Sequence, residues 1–178
     1  MLARTIFQWT VFACLAFLFT ACQQQQQYSA PSQTPAYHFK AGRTAILLRN
    51  GKAIAPRNAP LSVKRAIAAA NSLVGKPYRM GGGHKKHHDS GYDCSGSTSF
   101  VLREAGLLDK VRPSGGFLNY GSPGPGDWVS VYMKNGHVFL YIAGLRFDTT
   151  GSGSGVGPRW YATGRTGRGF YVRHPRGF

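Results

Sequence analysis

The stretch YDCSGSTSFVLREAGLL, residues 92–108, carries the strongest local signal in the chain. Apolar residues at helical spacing followed by a glycine predict a helix that begins close to Cys94 and ends at Gly106. A cysteine in the first turn of a helix lies beside backbone N–H groups without helical partners and beside the positive end of the helix dipole, and both stabilise a thiolate. The pattern therefore indicates either a thiol nucleophile at position 94 or an inert small residue packed at a helix end.

A second helix and a hairpin are predicted upstream of this stretch. Apolar residues recur on one face from Leu61 to Val74, and Gly75 and Pro77 end the pattern. The pair Asn50-Gly51 separates two short apolar runs, which is typical of a tight β-hairpin. We therefore expect a hairpin and one helix before the helix that carries the cysteine.

Strands are predicted for most of the sequence that follows. Lys134-Asn135-Gly136 separates two apolar runs and predicts a second hairpin. The candidate strands cover residues 128–133, 137–143, 145–150, 158–162 and 170–175. Because helices come first and an antiparallel meander follows, the predicted fold class is α+β.

The composition indicates a folded protein with an anionic partner. The 178 residues include 22 Lys and Arg against 6 Asp and Glu, a formal net charge of +16 with His neutral. Hydrophobic residues make up 42% and aromatic residues 13%, more than a disordered polyelectrolyte contains. Three cysteines exclude a small disulfide-stapled fold. The charge is compatible with nucleic acid, a membrane or an acidic polymer of the cell surface.

The N-terminal sequence MLARTIFQWTVFACLAFLFTAC is typical of a secretory signal covering residues 1–21. One basic residue, Arg4, precedes an apolar stretch that is shorter than the roughly 20 residues needed to span a bilayer. The ending LFTAC resembles a bacterial lipobox, which would make Cys22 the lipidated first residue of the mature protein. The alternative is an ordinary signal peptide, with Cys22 incidental.

Residues 22–37 are rich in Gln, Ser and Pro and predict a disordered tether. Either form of the signal exports the protein to the cell envelope, with lipid anchoring to a membrane in the first case. An exported protein meets little nucleic acid, so we expect none as a partner. The remaining candidates for the basic surface are a membrane and an anionic cell-wall polymer.

A thiol nucleophile needs a base, and His137 is the best candidate because it opens a predicted strand directly after a tight turn. A third polar group should orient the imidazole. If Gly144-Leu145 forms a two-residue turn, Asp148 falls opposite Tyr141, on the same sheet face as His137. Four residues of strand span about 13 Å, so contact would require a bulge, strong twist or a different register. The threonines at 149 and 150 are the alternatives.

Several segments together resemble the NlpC family of papain-like cell-wall cysteine peptidases. They occur in the family order between about residues 60 and 150: GKPYRMGG at 75–82, YDCSGSTSFVL at 92–102, GDWV at 126–129, GHVFLYI at 136–142 and FDTT at 147–150. The resemblance implies a papain-like α+β fold, with N-terminal helices packed on an antiparallel sheet. We expect the chain after the tether to divide into a short hairpin extension, 38–58, and a peptidase domain of this type, 59–178.

The resemblance also implies roles for individual residues. Cys94 would be the nucleophile and His137 the base, and Asp148 stands where the family more often has His, Asn or Gln as the third residue. By the same resemblance the substrate-binding residues, which contact the free amine end of a peptide stem, are Tyr78, Asp93 and Ser95. For Asp93 and Ser95, capping of the helix that follows is the alternative role.

The implied function is cleavage of peptide bonds in peptidoglycan stem peptides, in particular the D-glutamyl to diamino-acid bond. The implied enzyme is a monomer that uses neither a cofactor nor a metal. Two alternatives remain open: a thiol amidase or acyltransferase acting on another amide or ester, and a non-catalytic wall-binding lipoprotein.

A histidine-rich loop, HKKHHD at 84–89, precedes the cysteine. Three imidazoles and a carboxylate could bind zinc or copper, but their spacing matches no closed site and two lysines oppose a cation. The sequence favours a solvated cationic loop, or a loop that borders the substrate cleft.

Overall fold

The computed structural model describes residues 41–150 and 155–178. The predicted signal segment, Cys22 and nearly all of the sequence before the first hairpin lie outside this range, so the division of the chain into segments stays a prediction. Within the described residues, no helix is long and apolar enough to cross a membrane.

Both predicted helices are present. Helix α1 spans Leu61–Leu73 and helix α2 spans Cys94–Glu104. Helix α1 is amphipathic and turns one apolar stripe inward, as the periodicity predicted. Helix α2 differs, because every residue from Cys94 to Leu102 is buried. A helix covered on all sides holds its first residue in a fixed place relative to the strands around it.

The strands form two sheets. A small hairpin pairs β1, Ile46–Leu47, with β2, Ala53–Ile54, around the predicted Asn-Gly turn. The main sheet has six antiparallel strands in the order β3-β8-β4-β5-β6-β7. Its members are β3 Ser122–Pro123, β4 Val129–Lys134, β5 His137–Ile142, β6 Leu145–Asp148, β7 Arg159–Tyr161 and β8 Tyr171–His174. The α+β prediction is therefore confirmed.

The predicted simple meander is wrong for the last strand. Strands β4 to β7 follow one another, but β8 returns to the opposite side of β4, where Tyr132 pairs with Val172. This arrangement covers an edge that would otherwise expose unpaired backbone groups. It also buries Val172 and Phe170 with Tyr132 and Phe139 in a small apolar cluster on one face of the sheet.

The main core lies between the two helices and the sheet. Helix α2 packs on β5, so that Phe100, Val101 and Leu102 share one apolar cluster with Val138 and Leu140. This packing brings the start of α2 next to the start of β5. Cys94 and His137, which are the first residues of these two elements, therefore lie close together.

Candidate active site

The start of α2 is capped by Asp93, as the capping alternative proposed. Its Oδ1 accepts a hydrogen bond from the Gly96 N–H at 2.6 Å, and its own N–H donates to the Gly82 carbonyl at 3.3 Å. The first helical bond runs from the Ser97 N–H to the Asp93 carbonyl. The N–H groups of Cys94 and Ser95 have no acceptor among residues 41–150 and 155–178. Two free backbone donors thus lie beside the thiol.

Cys94 is a free, buried cysteine in contact with the start of β5. Its Sγ lies 4.0 Å from the carbonyl oxygen of Gly136, the residue directly before His137. The Cys94 side chain is also near enough to His137 to raise the pKa of the imidazole. The structure thereby brings the predicted nucleophile and base together.

The third predicted residue, Asp148, contacts His137 directly. The distance from His137 Nε2 to Asp148 Oδ1 is 3.0 Å, and the Asp148 side chain is fully buried. With Nε2 engaged by the carboxylate, Nδ1 is the ring nitrogen left for the thiol. His137 thus interacts with both Cys94 and Asp148.

The register that makes this contact differs from the predicted one. The β5–β6 turn is formed by Ala143 and Gly144, with φ of 46° and 81°, and not by Gly144-Leu145. Ile142 therefore pairs with Leu145, which shifts Asp148 by two residues toward His137. Both turns contain Gly144, and the observed one places Ala143 in left-handed backbone, so the register is set by the packing of the strands and not by the turn residues alone.

Asp148 is held by three further donors. The Thr150 backbone N–H and hydroxyl both lie 3.1 Å from its Oδ1, and Arg165 Nη1 lies 2.9 Å from its Oδ2. Thr150 therefore supports Asp148 and does not replace it. Burial acts to raise the pKa of Asp148, but the hydrogen bond from His137 and the nearby positive charges of His137 and Arg165 outweigh it and lower that pKa.

His137 shows the opposite balance. Burial acts to lower its pKa, whereas hydrogen bonds to Asp148 and Cys94 and the negative charges of both residues raise it, and the net shift is upward. The site thus stabilises an imidazolium. This is the protonation state that accompanies a thiolate in a Cys–His pair.

The predicted substrate-binding residues lie close to Cys94 and to one another. Ser95 Oγ donates to Asp93 Oδ1 at 3.1 Å. Tyr78 is half-buried, and its pKa is raised by burial and by the negative charges of Cys94 and Asp93. The three residues are therefore neighbours, although the main visible role of Asp93 is to fix the helix start.

The histidines of the 84–89 loop have different partners. His84 Nε2 lies 3.0 Å from Ser95 Oγ and 3.2 Å from Asp93 Oδ1, at the border of the site. His87 instead contacts Glu104 at 2.5 Å. In the part of the chain that the structure describes, no group of three His, Cys, Asp or Glu side chains could hold a metal ion. The contacts of His84 with Ser95 and Asp93 agree with the alternative in which the loop borders the substrate cleft.

Arg165 and His84 contact the site but were not assigned to it by the sequence. Arg165 lies between β7 and β8, where no motif or periodicity marks it. His84 could be recognised only as one member of a histidine-rich loop. Both side chains reach the site through contacts between segments distant in the sequence.

Comparisons with known proteins agree with this geometry, although no family model matches the chain. The chain is 33% identical over 98 residues to the probable peptidoglycan endopeptidase LytE of Bacillus subtilis, which covers 52% of the chain and 28% of LytE. It therefore spans less than a third of the length of that relative.

Two solved structures share the fold. The peptidoglycan hydrolase RipB of Mycobacterium tuberculosis superposes with a TM-score of 0.53 at 27% identity, covering 70% of each chain. The resuscitation promoting factor interacting protein RipA superposes with a TM-score of 0.50 at 25% identity, covering 66% of this chain and 65% of RipA. Together with the Asp-Cys-Ser-Gly helix start, the Gly-His-Val strand and the α+β architecture, these similarities support the resemblance to the NlpC family.

Proposed function

We propose that this chain is a cell-wall hydrolase, a cysteine-type endopeptidase that cleaves peptide bonds in peptidoglycan stems. The observation that carries the proposal is that the start of β5 brings His137 next to the Cys94 thiol, while His137 Nε2 contacts the buried Asp148 carboxylate at 3.0 Å. The named activities of LytE and RipB support the substrate class. The bond we propose is the one between D-glutamate and the diamino acid of the stem.

The catalytic cycle follows from the positions of these groups. His137 Nδ1 takes the proton of the Cys94 thiol, and the thiolate attacks the amide carbonyl. The N–H groups of Cys94 and Ser95 are available to bind the oxyanion that forms. His137 then protonates the leaving amine as the C–N bond breaks, which leaves a thioester on Cys94. Water, deprotonated by His137, attacks the thioester and releases the new carboxylate and the free thiol.

Asp148 supports this cycle by fixing the imidazole. As a hydrogen-bond acceptor at Nε2 it selects the tautomer whose Nδ1 can take the thiol proton. Its charge also stabilises the imidazolium that persists until the leaving amine is protonated. In our proposal Asp148 therefore orients His137 and exchanges no proton itself.

A second group of residues near the thiol suits a free amine. Asp93 is buried and contributes a carboxylate to a strongly basic protein, with Ser95 and Tyr78 beside it. A carboxylate can form a charge-assisted hydrogen bond with an ammonium group, such as the free amino end of a shortened stem. We propose that these three residues place that end so that the scissile carbonyl lies over Cys94.

The direct test is digestion of purified muropeptides by the protein and mass spectrometry of the products. We expect one cut per stem, with a new D-glutamate carboxyl end and a new diamino-acid amine end. Stems that begin with a free amine should be cut faster than the same stems still joined to sugar. Unchanged muropeptides, or the loss of an amide nitrogen without chain cleavage, would contradict the endopeptidase and favour the wall-binding or amidase alternatives.

We also propose that the protein is exported and anchored through a lipid on Cys22. The anchor and the tether 22–37 would let a monomeric catalytic domain reach the wall. The basic surface would hold it on anionic polymer through contacts that salt screens. Lipid chains contribute roughly 0.8 kcal/mol per buried methylene, so an acylated protein stays on the membrane.

The anchor proposal predicts where two cysteine variants fractionate. Full-length Cys22→Ala should leave the membrane fraction, whereas Cys14→Ala, which alters a cysteine inside the signal, should remain there. Metabolic labelling with a fatty-acid analogue should mark the second variant and not the first. Retention of Cys22→Ala in membranes would contradict lipidation at this position.

A further inference from the structure

Arg165 reaches the innermost part of the site from a segment that carries no motif. Its Nη1 donates to Asp148 Oδ2 at 2.9 Å, bonds to the Thr150 hydroxyl, and lies 3.3 Å from His137 Nε2. Among the described residues, it is the cation whose side chain is within hydrogen-bond distance of both His137 and Asp148. The proposed catalytic cycle assigns it no role.

The position of Arg165 is fixed from two sides. Its backbone N–H donates to the Tyr141 hydroxyl at 2.8 Å, which attaches the segment to β5. Its guanidinium carbon lies 5.3 Å from the ring centres of both Phe139 and Phe170. Such cation–π contacts hold a planar guanidinium in one orientation. Arg165 therefore meets the carboxylate with its direction already set.

The Asp148 carboxylate depends on this contact. Its side chain is fully buried, so its oxygens take their hydrogen bonds from protein donors, and losing one of these donors is costly. Without Arg165, Oδ2 keeps the Thr150 hydroxyl at 3.2 Å. Arg146 lies 3.9 Å away and its Nε has no hydrogen-bond partner within the described part of the chain, so it contributes charge without direction.

We propose that Arg165 is a positioning residue: it holds the Asp148 carboxylate so that Oδ1 faces His137, and its charge limits how strongly that carboxylate stabilises the imidazolium. This inference rests on the proposed function. In physical terms, Arg165 keeps the imidazole oriented while still allowing His137 to give up its proton to the leaving amine.

The sign of the charge effect follows from the groups around His137. Asp148 and Cys94 stabilise the imidazolium. Arg165 opposes it at close range, Arg146 opposes it through Asp148, and Lys134 lies across from His137 on β4 with its ammonium over Phe170. Removing only Arg165 takes away one opposing charge. The pKa of His137 should then rise further above its ordinary value.

The experiment compares Arg165→Gln with Arg168→Gln. Arg168 is an exposed cation three positions away on the same segment, so its variant removes the same charge without touching Asp148. Titration of the His137 imidazole followed by NMR should show a midpoint about half a unit or more higher in Arg165→Gln. The basic limb of kcat/KM for muropeptide cleavage should shift in the same direction, and kcat should fall about tenfold. Arg168→Gln should match wild type in all three measurements.

Two further variants complete the test. Arg165→Lys keeps the charge and should return the His137 midpoint close to that of wild type. Arg165→Met can pack on the same aromatic rings and replaces the glutamine variant should that one fail to fold. Equal midpoints in Arg165→Gln, Arg165→Met and Arg168→Gln would overturn the inference. If wild type cleaves no muropeptide, the proposed function fails, while the imidazole titration still decides the role of Arg165.

Discussion

Replacing Cys94 by alanine is expected to abolish cleavage of peptidoglycan stems, with kcat/KM falling by about 10⁴-fold or more. Covalent catalysis runs entirely through the Cys94 sulfur, and Cys94 is the free cysteine of the described residues. The oxyanion donors and the binding groups would remain, but they cannot supply a nucleophile. Steady-state digestion of a defined muropeptide gives the rate, and mass spectrometry of wild type should also capture a thioester adduct that the variant lacks.

Two controls separate loss of chemistry from loss of fold. Cys94→Ser changes a single atom and should keep the thermal midpoint of wild type while losing most activity, because a hydroxyl is a far weaker nucleophile at neutral pH. Iodoacetamide should alkylate Cys94 in native wild-type protein and stop turnover to the same extent. A Cys94→Ala protein that keeps a tenth of wild-type activity, or alkylated protein that remains active, would contradict nucleophilic catalysis by this residue.

The sequence predicted the elements whose signals are local. The start of α2 could be predicted because the cap, the small residues and the terminal glycine all lie within the stretch 92–108. The turns at Asn50-Gly51 and Asn135-Gly136 were readable for the same reason, since this dipeptide favours a left-handed turn in any context. These elements place Cys94 and His137, so the first two members of the site could be named from the sequence.

The contact between His137 and Asp148 could not be predicted, because it depends on a choice between two adjacent turns. Both turns keep Asp148 on the face of His137, and both include Gly144. The observed pairing of Ile142 with Leu145 places Ala143 in left-handed backbone. Residues other than glycine rarely adopt this conformation, so the sequence around the turn does not favour this pairing. The packed strands β4 and β6 on either side of β5 select this register. The register therefore depends on packing between strands, and the turn residues alone do not indicate it.

The contacts of Arg165 and His84 were beyond prediction for a related reason. Arg165 lies 17 positions from Asp148, in a segment without apolar periodicity, and the chain holds many other basic residues. His84 meets Ser95 only because the glycines around it let the loop lie directly against α2. The sequence does not distinguish Arg165 from the other arginines, or His84 from the other histidines, as a residue that contacts the site.

The closeness of that loop to α2 makes Gly96→Ala the second variant with a large expected effect, a loss of about 3 kcal/mol in the free energy of unfolding. A Cβ at position 96 would lie 3.0 Å from the carbonyl carbon of Gly82, closer still to its oxygen, and 3.1 Å from Cα of Gly83. The gain of roughly 1 kcal/mol that alanine brings to a helix cannot offset such a clash with backbone. Gly82 cannot move away freely, because its N–H donates to Arg79 and its carbonyl accepts from Asp93.

The same clash should reduce activity, since forcing the loop from α2 displaces Asp93, which fixes the helix start beneath Cys94. Gly115→Ala is the matched control, because its Cβ would meet none of the described residues within 4 Å and its backbone is not left-handed. Urea denaturation followed by circular dichroism should place Gly115→Ala within about 0.5 kcal/mol of wild type. If Gly96→Ala also unfolds within about 1 kcal/mol of wild type, the loop can yield, and the helix start is held by the Asp93 cap without the help of this close backbone contact.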